Sequence, residues 1–170
     1  MTTLLLVRHG ETDWNAERRW QGHADVPMND RGLEQARALA ERLAAEPVDA
    51  IYASDLSRAR VTAEIVGERL GVAVVADPDL REIDVGTREG RTGDVDAPWD
   101  GEPHEAHAER ILRAIHRIAE RHPGERVLVV THGGSMRRVH EHLGLENGGP
   151  FANCTVWTCA HEDGALRPLD

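Results

Sequence analysis

Residues 4–15 read LLLVRHGETDWN, and this stretch decides the fold. Residues 4–8 form a continuous apolar run that ends in Arg8. A strand that is apolar without alternation is covered on both faces, as in a largely parallel sheet flanked by helices. Arg8-His9-Gly10 then falls where that strand ends, and in open α/β sheets the binding crevice lies beyond the carboxyl ends of the strands. A second segment has the same build: residues 126–131 (RVLVVT) read as a buried strand, followed by His132-Gly133-Gly134. Glycine after each histidine permits a tight turn and close backbone approach. A lone histidine at a strand end is more often packed than functional, but two equivalent ones favour a shared site.

Outward from these strands, helical and β patterns alternate. Asn29 is a plausible N-cap for a helix carrying Leu33, Ala36, Leu39, Ala40 and Leu43 at helical spacing, closed by Pro47. Residues 49–53 read as a short strand. A helix from about Ser57 presents Ala59, Thr62, Ala63, Val66 and Leu70 and stops at Gly71, and residues 72–76 read as a third strand. Residues 84–103 (DVGTREGRTGDVDAPWDGEP) are rich in Gly, Asp and Pro and read as an irregular loop. From His104 an amphipathic helix shows Ala108, Ile111, Leu112, Ile115, Ile118 and Ala119, ending at Pro123-Gly124. Residues 135–143 read as helix and 155–160 as the last long strand. The expected architecture is a three-layer α/β/α sandwich with a mostly parallel central sheet.

Composition narrows the chemistry. The 170 residues carry a net charge of −10, ten histidines and twenty basic residues, every one an arginine. Without lysine the chain has neither a G-x-x-x-x-G-K phosphate loop nor a Schiff-base residue of its own. The acidic balance argues against a nucleic-acid surface, so an anion would have to be held in a local arginine pocket. The N-terminus shows neither a signal peptide nor a membrane-length apolar run, so no membrane association and a cytoplasmic location are expected. Cys154 and Cys159 lie five apart in a strand-like segment, which points them to opposite faces and disfavours a disulfide. His104, Glu105 and His107 lack the spacing of a zinc-protease motif, and no metal or cofactor is expected.

LLLVRHGETDWN resembles the signature of the histidine phosphatase superfamily, also called phosphoglycerate mutase-like. Four further stretches are similar in the same order: WQGHADVPMNDRGLEQA at 20–36, SDLSRARVTAE at 54–64, LREIDVG at 80–86 and VTHGGSMR at 130–137. The resemblance implies one domain over residues 1–170 with a short cap around 84–103. It implies His9 as the nucleophile, with Arg8, Arg58 and His132 forming the phosphate pocket and Asn15 a further polar ligand. Arginine suits this task because its planar fork binds phosphate oxygens bidentately. Glu82 matches the family's proton donor, with Asp84 as the competing candidate, and Glu11 organises the loop. Gln21 and Gly22 would touch the non-phosphate part of a substrate, beside Trp20. Arg60 and Arg69 read as solvated helix-face residues.

Departures from the family's pattern bear on the reaction. Sugar-phosphate mutases of the superfamily carry a long insertion after the acid motif, whereas here only 49 residues separate Glu82 from His132. A short cap shields a phosphorylated intermediate poorly from water, which favours hydrolysis. Where many members show G-E-S, this chain has Gly101-Glu102-Pro103. The expected function is a metal-independent phosphomonoester hydrolase working through phosphohistidine on a phosphorylated small molecule. A phosphoglycerate mutase and a non-catalytic phospholigand-binding module are the alternatives. The identity of the substrate and the oligomeric state, including a homodimer, stay open.

Overall fold

A computed structural model describes residues 1–145 and 150–169. Its strands are β1 (Thr2–Arg8), β2 (Ala50–Ala53), β3 (Val74–Ala76), β4 (Arg126–Thr131), β5 (Val156–Glu162) and β6 (Ala165–Pro168). They form one sheet in the order β3-β2-β4-β1-β5-β6. The first four are mutually parallel through the β2–β3, β2–β4 and β1–β4 pairs, and β5 and β6 add an antiparallel edge. The helices are α1 (Asp13–Ala16), α2 (Asp30–Leu43), α3 (Ser57–Leu70), α4 (His104–Arg121) and α5 (Gly133–His142).

The continuous apolar reading of β1 and β4 has its cause in two cores. Leu4, Leu6, Val127 and Val129 point to one face of the sheet, against Ile111, Ile115 and Ile118 of α4 and Met136 of α5. Leu5, Val7, Leu128 and Val130 point to the other, against Leu39 and Leu43 of α2 and Ala59, Ala63 and Val66 of α3. Period-2 alternation is present, but both faces are buried, so the sequence shows no polar beat. This is the expected three-layer sandwich. The register sets Arg8 opposite Thr131, so the strands bearing His9 and His132 end level with one another.

Several boundaries differ from the sequence reading. α5 starts at Gly133, not at 135, and His132 is its N-cap. The third strand is only Val74–Ala76. The short α1, closed by a capping box between Thr12 and Asn15, and the edge strand β6 were not anticipated. Cys154 lies in the turn before β5 rather than in a strand, with φ of 58°. Both cysteines are buried free thiols in different cores, as opposite orientations required. The 84–103 segment is irregular apart from a 3₁₀ turn at Gly86–Arg88.

Candidate active site

The carboxyl ends of β1 and β4 open into a cleft of about 630 Å³. His9 is 2% exposed, and its Nδ1 lies 2.7 Å from the Gly10 carbonyl. A carbonyl can only accept, so Nδ1 carries the hydrogen and the Nε2 lone pair is left free. Burial, then Arg58 and Arg8, hold the His9 pKa well below the ordinary histidine value. The ring is therefore neutral near pH 7, which is the state a nucleophile requires. Desolvation is the largest cause, and the two arginines add to it.

Arg58, in the first turn of α3, is fully buried. Its Nη1 donates to the Ala24 carbonyl at 2.8 Å and its Nη2 to the Gly22 carbonyl at 2.7 Å. Burial lowers its pKa to about 10, which still leaves it charged at neutral pH. Arg8 donates through Nη1 to the Phe151 carbonyl. Among the described residues the Nε atoms of Arg8 and Arg58 and the Nδ1 of His132 are buried without a hydrogen-bond partner. Buried donors of this kind are costly unless an acceptor reaches them. An oxyanion beside His9 is the acceptor that three such groups fit.

His132 packs edge-on to His9, with ring centroids 5.2 Å apart, and its Nε2 lies 2.8 Å from Ser54 Oγ. Burial first, then Arg58 and His9, hold its pKa well below the ordinary histidine value, so it is neutral near pH 7. Glu82 also lines the cleft. Its Oε2 accepts from the Gly134 amide at 2.8 Å and its Oε1 from the Ile83 amide at 2.9 Å. Gly134 is the second residue of α5, whose N-terminal amides face the cleft with the positive end of the helix dipole. The competing Asp84 is exposed and bonded to the Gly86 amide, outside the cleft lining.

Asn15 lines the cleft, with its Oδ1 accepting from the Thr12 amide and from Asn153 Nδ2. Its own amide nitrogen is the end left to donate. Gln21 also lines the cleft and accepts from Thr12 Oγ1 at 2.7 Å. Gly22 does not reach the cleft. It is buried where a β-carbon would collide with the Ile83 carbonyl, and its own carbonyl anchors Arg58. Glu11 accepts from Asn29 Nδ2, organising the loop as expected. Arg60 and Arg69 pair on the surface with Glu64 and Glu41.

The sequence reading did not assign four contributors to the site. Arg18 and Arg137 line the cleft mouth, and the Phe151 backbone steadies Arg8. His107 is buried behind Glu82, 3.8 Å from its Oε1. Its position one helical turn before Ile111, on the apolar stripe of α4, was the available signal. The 84–103 segment is tied to the 20–36 stretch through Trp20 to Arg91 and Gly90 backbone bonds, and the Glu89 carboxylate accepts from the Gly22 and His23 amides. A second cavity of about 540 Å³ shares Trp20, Gln21, Glu82, Gly134 and Arg137 with the first and is also lined by Trp99 and His107. Among the described residues no group of three or more His, Cys, Asp or Glu side chains is placed to hold a metal ion.

The family model of the histidine phosphatase superfamily (branch 1) matches residues 4–166. The chain belongs to that superfamily. As a histidine phosphatase superfamily member it is 42% identical over 160 residues to the phosphoglycerate mutase-like protein 4 of Arabidopsis thaliana, covering 81% of this chain and 69% of the relative. It is 40% identical over 179 residues to a metal-independent phosphoserine phosphatase of the same plant, covering 92% and 75%. Among solved structures, Bacillus stearothermophilus YhfR superposes with a TM-score of 0.90 at 35% identity, over 99% of this chain and 95% of that one. A mycobacterial glucosyl-3-phosphoglycerate phosphatase in complex with VO3 gives 0.87 at 30% identity, over 98% and 96%.

Proposed function

We propose that this superfamily member is a phosphomonoester hydrolase that works through a phosphohistidine on His9. The observation that carries this reading is the neutral, aimed His9 ring, set among buried arginine and histidine donors and faced by one carboxylate. In the first displacement the His9 Nε2 lone pair bonds to phosphorus as the ester P–O bond breaks. Glu82 passes a proton to the departing oxygen, and Arg8, Arg58 and His132 neutralise the equatorial oxygens. In the second, water attacks phosphorus, Glu82 takes its proton, and the P–N bond breaks to release phosphate. Asn15 donates to a phosphate oxygen, and Gln21 meets the alcohol portion of the substrate.

The substrate class is a phosphorylated small molecule. Phosphoserine and 3-phosphoglycerate belong in any first panel because one relative is named a phosphoserine phosphatase and a structural neighbour acts on a phosphoglycerate ester. Two buried free thiols suit the reducing cytoplasm, and no described helix is long and apolar enough to cross a membrane. The test is initial-rate hydrolysis of an aryl phosphate, phosphoserine and both phosphoglycerates, in chelator, with wild type and His9→Ala in parallel. Phosphate release by the wild type alone is expected. Equal release by the variant would overturn the nucleophile, and interconversion of the phosphoglycerates with a bisphosphate primer, outpacing hydrolysis, would assign a mutase instead.

A further inference from the structure

Behind Glu82 the structure holds a buried histidine that the reaction above does not use. His107 of α4 is 1% exposed, and its Nε2 lies 3.0 Å from Ser135 Oγ and 3.8 Å from Glu82 Oε1. Ser135 has one hydroxyl hydrogen, and the Arg81 carbonyl 3.2 Å away can only accept it. With that hydrogen committed, His107 Nε2 is the donor to Ser135 Oγ. The ring is then a neutral Nε2–H tautomer, in keeping with burial and the adjacent Arg110 guanidinium, which push its pKa down to about 3. Its N–H dipole presents a positive end to the Oε1 side of Glu82.

We infer that His107, anchored by Ser135, is a positioning residue for the proton donor. Its N–H, bonded to Ser135 Oγ, draws Glu82 Oε1 electrostatically from 3.8 Å without hydrogen-bonding it, and so adds to the hold of the Ile83 amide. Oε2, tied only to the Gly134 amide, is left as the oxygen that exchanges the proton. This rests on the reading of Glu82 as proton donor. Other charged or titratable groups also face the pair. Arg8 and Arg58 act on Glu82 across the cleft, His23 Nε2 and Arg110 donate to its carbonyl, and Arg137 lines the same wall. Arg110, Glu102, Arg138 and His104 act on His107. Each of these stays in place when His107 alone is changed.

The test exploits leaving-group chemistry. An alkyl phosphate needs its departing oxygen protonated, whereas an aryl phosphate with an acidic phenol scarcely does. His107→Leu removes the N–H donor, and His107→Gln keeps one at similar reach. For the leucine variant the expected result is a fall of roughly 10-fold or more in kcat/KM for an alkyl phosphate such as phosphoserine. The aryl value should stay within about 3-fold, because general acid assistance is the part lost. The glutamine variant restores most of the alkyl rate. A defect of structure alone would lower both esters together and would not be rescued by glutamine, and that outcome overturns the inference. An unchanged alkyl-to-aryl ratio in folded His107→Leu overturns it as well. Should the leucine variant fail to fold, Ser135→Ala, which removes the anchor, is expected to lower the same ratio, and an unchanged ratio there is equally contrary. The phosphatase reading itself stands or falls separately, on wild-type turnover and its loss in His9→Ala.

Discussion

A single β-carbon at Gly134 would stand 2.3 Å from Glu82 Oε1, so the close seat of the carboxylate on the first turn of α5 exists only because residue 134 has no side chain. The obstructing atoms are the far end of a flexible side chain, so Gly134→Ala displaces Glu82 rather than the helix. The expected outcome is a kcat lower by about 10-fold or more, since a misplaced acid forfeits much of its contribution. The thermal midpoint should change little, and calorimetry beside steady-state rates checks both. At the same scale, burial and the neighbouring cations hold His132 neutral, and an anion against it would raise its proton affinity. Vanadate binding below about pH 7 should therefore take up protons, by the linkage between site charge and proton affinity. Titration calorimetry in buffers of differing ionisation enthalpy reads that uptake directly, and a buffer-independent enthalpy would contradict it.

Elements hold these residues level through close backbone approaches. A β-carbon on Gly32 would lie 2.1 Å from the Glu11 carbonyl, so the start of α2 rests directly on the signature loop. There the neighbour is backbone and cannot yield. Gly32→Ala is expected to cost about 1–3 kcal/mol, the usual range for overpacking, measured by urea unfolding. Strands β1 and β4 were legible because burial on both faces leaves an uninterrupted apolar run, and α2, α3 and α4 because their stripes are deep and bounded by Asn29, Gly71 and Pro123. The start of α5 was not, because Gly133-Gly134 reads as a turn when the pair serves as the helix's first two positions under Glu82 and Arg8. Strand β6 buries only Leu166 of its four residues, too little for any periodicity. His9, Arg8, Arg58, Glu82 and His132 were found through resemblance and are brought to one place. His107 was weighed only as a metal ligand and set aside, because a histidine on an apolar stripe looks like core until its neighbours across the fold are known.

The whole molecule is acidic, with a net charge of −10, yet its cleft is lined by arginines and by the neutral His9, with His132 and His107 buried close by. These three buried histidines tie stability to pH. His9 and His132 lie well below the unfolded value near 6.5, and His107 falls to about 3. Below about pH 6.5 the unfolded chain binds protons that the folded chain refuses, so stability is full above that point and is lost as pH falls. Each such group adds a slope approaching about 1.4 kcal/mol per pH unit. Urea midpoints should accordingly drop between pH 7.5 and 5.5, and saturating phosphate should lessen the drop. A flat profile would mean that the buried rings protonate freely in the folded state.

The direct test of the central claim is rapid-quench labelling with a ³²P-phosphomonoester under single-turnover conditions, stopped in alkali, where phosphohistidine survives, and mapped by peptide. The label should appear on His9 faster than phosphate is released and then decay at the release rate. Phosphate release with His9 never labelled would contradict the mechanism.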